Sequence, residues 1–307
     1  MTSEVMATGQ SHEYTMGSIY EKPTMTTIRT TDGTTLFIRD WGHGRPLVFL
    51  AGWTLSSDAW AYQMTPLSRQ GFRCVAIDRR AHGRSDDPGR GLDFDTLADD
   101  IETVLEALDL RDVCLVAHSF ASGEAVRYLT RHGSGRVSRV LLLAPAAIPF
   151  IRQTDDNPIG VPQSAIDAHL AGLENNFPGW IEASSAPYFG DAASRPLIEW
   201  TANDMLRASL QATIELARIL TQTDFRPELK RIDVPVLIVH GTADVSAPIE
   251  ITGRPAAALI PGADLVEYEG APHGLYFTHR HRLNAEIANF ATAPALSSCE
   301  ERSRKMA

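Results

Sequence analysis

The 307-residue sequence predicts an α/β fold, with a mostly parallel sheet, helices on both faces and a helical cap insertion. Three observations predict it. Short apolar runs of strand length alternate with segments of helical period. The runs are near-continuous in Val, Leu and Ile, as in strands covered on both faces. The alternation stops between about residues 148 and 227, where a helical, aromatic stretch intervenes.

Taken in order, residues 1–24 are rich in Gly, Ser, Thr and Met, with no Lys or Arg before Lys22 and no apolar core of a signal peptide. They are expected to be a flexible tail. Strand runs follow at 36–39, 46–50, 74–77, 113–117, 140–144, 236–240 and 264–268, the first two expected to be antiparallel. Leu97, Ile101, Val104, Leu105 and Leu108 keep helical spacing, with Asp95 ahead of them as the expected N-cap. Val126, Tyr128 and Leu129 suit a helix after Ser119. The insertion enters through Pro149, Pro158 and Pro162 and contains Phe177, Trp180, Tyr188, Phe189 and Trp200. It reads either as ordinary extra helices or as a cap, because open α/β sheets bind ligands beyond the carboxyl ends of their strands. The division is then a core of 25–147 and 228–293, a cap of 148–227, and a polar flexible tail of 294–307.

Composition narrows the function. The 28 basic and 38 acidic residues give a net charge of −10, which argues against a broad nucleic-acid surface. No apolar run approaches the roughly 18 residues of a membrane span. Cys74 and Cys114 lie in strand runs, and Cys299 leaves the number odd, so a reducing cytoplasm is expected rather than a disulfide framework.

The segment from Val113 to Ala125 carries the most chemistry. An apolar strand runs directly into a helix through Ala117-His118-Ser119-Phe120-Ala121. This is the context of a nucleophile elbow, in which residues two before and two after the serine must be small. Both are Ala here, where the motif has Gly. The turn would lift the Ser119 hydroxyl above the sheet and leave the Phe120 N–H free for developing negative charge. The plain alternative is that Ser119 is an ordinary N-cap.

A serine hydroxyl needs an adjacent base. The elbow fold places the acid and then the histidine after the serine in the chain. Asp244 follows the 236–240 strand and His273 follows the 264–268 strand, both on the elbow's edge of the sheet. Asp244 would orient His273, and His273 would take the Ser119 proton. Gly52 and Trp53 follow the 46–50 strand, so the Trp53 N–H is the expected second oxyanion donor, with its ring either walling the acyl pocket or packing in the core.

The remaining motifs point away from other chemistries. His118 adjoins Ser119 but should point elsewhere, and His240 at a strand end reads as structural. His43 and His82 are loop residues. His279 and His281 do not share a helix face. No zinc spacing, phosphate loop or dinucleotide fingerprint is present, so no metal and no cofactor are expected.

From about Thr26 to Ala291 the chain resembles the cofactor-free haloperoxidase, aryl-esterase and perhydrolase branch of the α/β-hydrolase superfamily. The matching blocks include Asp40-Trp41-Gly42, Asp78-Arg79-Arg80 with His82-Gly83-Arg84-Ser85, Arg131-His132-Gly133 and Ala271-Pro272-His273-Gly274. The resemblance implies an eight-stranded, mostly parallel sheet and Ser119, Asp244 and His273 as a catalytic triad. It implies Trp53 and Phe120 as oxyanion donors and ester or lactone hydrolysis without metal or haem. Halogenation is then a side reaction, in which the acyl-enzyme yields a peracid with hydrogen peroxide. Relatives are often oligomeric, so the expected partners are a small-molecule ester or lactone and a second copy of the chain, with no nucleic acid and no membrane. The chain departs from the family at Ala51, at Ala117, Ala121 and Ser122, and at Ala81, all near the catalytic face.

Rival readings share the fold. Ser119 excludes dehalogenases and epoxide hydrolases, which need a carboxylate at the elbow. A cofactor-independent dioxygenase or a carbon–carbon bond hydrolase could use the His273–Asp244 pair, and a ligand-binding receptor could keep the fold without chemistry.

Overall fold

Eight strands form one sheet in the order β1-β2-β4-β3-β5-β6-β7-β8. The computed structural model describes residues 25–294. The expected tails, 1–24 and all of 294–307 beyond Pro294, lie outside them, as does Cys299. The strands are β1 (Met25–Arg29), β2 (Thr35–Trp41), β3 (Arg45–Leu50), β4 (Phe72–Ile77), β5 (Val113–His118), β6 (Val137–Leu143), β7 (Val236–Gly241) and β8 (Asp264–Tyr268). β2 is antiparallel to both its neighbours, and every other pairing is parallel.

The seven expected strand runs are β2 to β8. β1 gave too weak a signal, because at this sheet edge Ile28 is buried between exposed Thr27 and Arg29. The first two runs, β2 and β3, do run in opposite directions, but they are not neighbours: β4 lies between them, so that Ile38 and Leu50 both register against Ile77. Their link passes tightly over the start of β4. A Cβ on Gly42 would stand 2.5 Å from the Phe72 carbonyl oxygen, and one on Gly44 2.1 Å from that of Gly71.

Ten α-helices appear among the described residues. They are α1 (Ala61–Arg69), α2 (Phe94–Ala107), α3 (Ala121–His132), α4 (Gln163–Phe189), α5 (Arg195–Met205), α6 (Leu210–Gln222), α7 (Arg226–Leu229), α8 (Gly253–Leu259), α9 (Leu275–Thr278) and α10 (Arg280–Thr292). The N-cap of α2 is Asp93 rather than the expected Asp95. Asp93 is extended (φ −139°, ψ 157°) and its carboxylate accepts the Thr96 N–H at 2.9 Å. Asp95 lies inside the first turn and pairs with Arg127.

Alternate side chains along the strands feed two cores. On one face Val48, Leu50, Val75, Ile77 and Leu115 pack under α2 and α3. On the other, Leu47, Phe49, Cys74, Cys114 and Val116 join residues of α1, α10 and the insertion. Burial on both faces is why the central strands read as unbroken apolar runs. The insertion between β6 and β7 carries α4, α5 and α6. Within α4, Asn176 leaves the helical region (φ −160°, ψ 75°), breaking the axis just before Pro178. Phe177, Tyr188 and Phe189 are buried in the second core, whereas Trp200 is 39% exposed on the outer side of the insertion. No helix of the described residues is long and apolar enough to cross a membrane.

Candidate active site

β5 ends at His118 and α3 begins at Ala121, leaving two residues for the turn. Ser119 takes φ +56°, a left-handed conformation that costs an L-residue energy unless its surroundings hold it. Here they do. Its N–H donates to the Leu143 carbonyl at 2.9 Å. Its carbonyl accepts from the N–H groups of Ser122 (3.1 Å) and Ala146 (3.2 Å), and from the Ser122 hydroxyl at 2.7 Å. The Ser122 side chain ties the elbow back on itself. The glycine that α3 cannot spare is Gly123, where a Cβ would come within 2.6 Å of the Phe94 ring.

The three residues expected to work together do converge. β7 and β8 are neighbours, so the loops after them open side by side. His273 Nε2 lies 2.9 Å from Ser119 Oγ, and His273 Nδ1 lies 2.6 Å from Asp244 Oδ2. A carboxylate only accepts, so Nδ1 donates and Nε2 is left to accept the serine proton. Asp244 Oδ1 accepts the N–H groups of Ser246 (2.9 Å) and Ala247 (2.8 Å). Burial pushes the Asp244 carboxyl up, but the charge of His273, the imidazole hydrogen bonds and the Ala247 N–H outweigh it. The group is held well below the usual carboxylate range.

The two expected oxyanion donors stand on adjoining segments, the loop after β3 and the turn after β5. Among the described residues neither the Trp53 nor the Phe120 main-chain N–H has an acceptor. Gly52 brings the β3 loop against the elbow, since a Cβ there would stand 2.7 Å from His118 Nδ1 and 3.3 Å from Ser119 Cβ. Both readings of the Trp53 ring hold. It lines the cavity, and it packs edge-on against Trp180 and Phe177 while Nε1 donates to the Thr213 carbonyl at 2.9 Å.

Ser119 and His273 open into a cavity of about 490 Å³ between the strand ends and the insertion. Its walls come from Trp53, Ile166, Trp180, Tyr188, Phe189 and Ile251 among others, and among the described residues no Asp, Glu, Lys or Arg lines it. His118 makes no hydrogen bond to Ser119. It stands beside His273, with ring centroids 4.8 Å apart, and burial and the His273 charge hold its own imidazole far below the usual range. No group of three or more His, Cys, Asp or Glu side chains among the described residues is arranged to hold a metal ion.

Three features escaped the sequence. His240 Nε2 reaches Asp244 Oδ2 at 3.1 Å and is more than a strand-end residue. The His240/Asp244 spacing of four residues was the available sign. Arg79 and Glu124 form a buried pair under the loop that carries Gly52 and Trp53, 45 residues apart in the chain and with no pattern linking them. His169 of α4 lines the cavity between Trp53 and Trp180.

Comparison with known proteins identifies the family. The family model described as the alpha/beta hydrolase fold matches residues 45–280. The chain belongs to the α/β-hydrolase family and, within it, to the non-heme haloperoxidase branch. It is similar to a non-heme chloroperoxidase of Streptomyces lividans, 41% identical over 275 residues that cover 87% of this chain and 99% of the relative. It is also similar to a bifunctional esterase/perhydrolase of Acinetobacter calcoaceticus, at 35% identity over 86% of this chain and 98% of that one. Among solved structures an esterase from Exiguobacterium antarcticum superposes with a TM-score of 0.84 at 31% identity, covering 88% of this chain and all of that one.

Proposed function

We propose that the protein is a serine hydrolase that cleaves neutral, largely apolar carboxylic esters or lactones through an acyl-enzyme on Ser119. The observation that carries the reading is the relay of 2.9 Å from Ser119 Oγ to His273 Nε2 and 2.6 Å from His273 Nδ1 to Asp244, opening into an uncharged cavity. His273 takes the hydroxyl proton as Ser119 Oγ attacks the substrate carbonyl. The oxyanion is met by the Trp53 and Phe120 N–H groups, and the imidazolium faces the Asp244 carboxylate. Collapse breaks the acyl–oxygen bond, and His273 protonates the leaving alcohol, which stays tethered when the substrate is a lactone. Water then attacks the acyl-enzyme by the same route. When hydrogen peroxide attacks instead, the product is a peracid, which oxidises halide in solution. This side activity fits the names of the relatives.

The insertion 148–227 acts as the cap that shapes the acyl pocket on the core of 25–147 and 228–293. Its Trp180, Tyr188 and Phe189 favour rings and alkyl groups, and the absence of a cationic wall disfavours substrates with free carboxylates. A homo-oligomer and a cytoplasmic location complete the proposal, the latter supported by the buried free thiols of Cys74 and Cys114.

The test is intact-protein mass after treatment with a fluorophosphonate. The reading expects one adduct in wild type and none in Ser119→Ala, followed by turnover of aryl esters and lactones. A folded wild type that takes up no probe would overturn it, and would turn attention to oxygen chemistry at His273 and Asp244 or to ligand binding.

A further inference from the structure

Arg79, two residues past the end of β4, is 8% exposed and lies beneath the loop that carries Trp53. Its Nε and Nη2 hold the two carboxylate oxygens of Glu124, which stands on α3 just beyond the Ser119 elbow. Nη2 also donates to the Ala51 carbonyl at 2.7 Å, and Nη1 to the Gly52 carbonyl at 3.3 Å. The guanidinium carbon is 4.9 Å from the centroid of the Phe120 ring. One cation therefore touches both segments that supply the oxyanion donors.

The Gly52 carbonyl and the Trp53 N–H belong to the same peptide group. The peptide is trans, so its N–H points away from its C=O. The Gly52 carbonyl accepts the Leu55 N–H at 3.2 Å as well as Arg79 Nη1, and the two donors together fix the direction of the Trp53 N–H. The cationic donor also polarises the amide, which makes that N–H a stronger donor. A buried ion pair is no net gain in stability over apolar residues of similar size, so packing alone does not account for Arg79 and Glu124.

We propose that Arg79, clamped by Glu124, is a positioning residue that aims and strengthens the Trp53 N–H at the developing oxyanion. The inference rests on the reading of Trp53 and Phe120 as oxyanion donors. Arg79 touches no substrate, and its effect belongs to the tetrahedral state, where charge sits on the former carbonyl oxygen. Ground-state binding in the apolar cavity does not use it.

The test replaces both partners at once, as Arg79→Met with Glu124→Met, so that no lone charge is left buried. Two inhibitors are compared. An aryl trifluoromethyl ketone forms a hemiketal, in which Ser119 Oγ bonds to the carbonyl carbon, the hydroxyl proton passes to His273 and the former carbonyl oxygen becomes the anion. The matching methyl ketone binds largely unreacted. The expected result is a kcat about 10²-fold lower at a nearly unchanged KM. Affinity for the trifluoromethyl ketone should fall by the same factor as kcat/KM, while affinity for the methyl ketone stays. Arg79→Lys, which keeps a donor, should recover part of the loss.

A folded double variant with wild-type kcat and trifluoromethyl ketone affinity would overturn the inference. So would equal loss of affinity for both ketones. If the double variant does not fold, Glu124→Gln is measured in the same way, and a kcat equal to wild type again overturns it. Failure of the parent reading looks different, because wild type itself would then show no preference for the trifluoromethyl ketone.

Discussion

Asp244 Oδ2 is shared by two histidines, His273 Nδ1 at 2.6 Å and His240 Nε2 at 3.1 Å. His240 Nε2 also lies 2.9 Å from the Ala247 carbonyl, and two acceptors require that Nε2 be the donor. Nδ1 of the same ring has no partner among the described residues and faces Gly253, where a Cβ would stand 2.4 Å away. With the two N–H groups on Oδ1, Asp244 receives four donors and has one orientation in which all are satisfied. His240→Leu removes one donor from Asp244 and leaves the Ala247 carbonyl with only the Thr252 hydroxyl at 3.3 Å, a cost of about 1–3 kcal/mol. We expect kcat/KM to drop at least about tenfold. His240→Gln, which can still donate, should lie close to wild type in steady-state turnover of an aryl ester.

Ser119→Ala and His273→Ala should each reduce ester hydrolysis by several orders of magnitude, leaving at most roughly 10³–10⁴-fold catalysis over water. Asp244→Asn should cost about 10⁴-fold through the wrong imidazole tautomer. Turnover of an aryl ester at pH 7.5–8 checks all three, and near-normal Asp244→Asn activity would reassign the acid.

Gly52→Ala puts a methyl group 2.7 Å from His118 Nδ1 and 3.3 Å from Ser119 Cβ. The loop must retreat from the elbow and take the Trp53 N–H with it. A loss of kcat of about 10²-fold is expected, with a melting temperature only a few degrees lower. Thermal melts and kcat on the same preparations separate the two effects.

His169 lines the cavity with no hydrogen-bond partner among the described residues, and burial lowers its pKa. It therefore offers a neutral donor and acceptor to the substrate. His169→Phe should raise KM for esters with a polar group remote from the scissile bond and leave simple aryl esters almost unchanged. A paired substrate series measured by initial rates decides this.

Acid should destabilise the fold through His82. Burial, then the Arg79 charge, brings its pKa down to about 3, against an Nδ1–H bond to the Arg80 carbonyl that pushes the other way. The unfolded value is about 6.5, so between the two the unfolded state binds more protons. The stabilisation is fully present above about pH 6.5 and is lost as pH falls towards 3, at about 1.4 kcal/mol per pH unit for this group. Urea melts from pH 7 to 4 should show the decline, with a shallower slope in His82→Gln.

Much of the site was legible because catalysis needs particular residue types at particular strand ends. Ser119 was marked by a strand running straight into a helix, and Asp244 and His273 by their places just past β7 and β8. Gly52 and Trp53 followed from the same logic after β3. β1 was missed because one buried side chain in an edge strand leaves almost no period-two signal. Asp95 was expected as the helix cap where Asp93 serves, because either aspartate can cap and only backbone angles distinguish them.

The sequence by itself determined the fold class, the elbow and the order of serine, acid and histidine, because local periodicity and chain order are written along one dimension. Tertiary structure alone decided that β4 separates β2 from β3 and that Arg79 reaches the Gly52–Trp53 peptide from 27 residues away. These contacts depend on how strands register and side chains turn within a packed interior. Such long-range geometry leaves no spacing pattern in the chain.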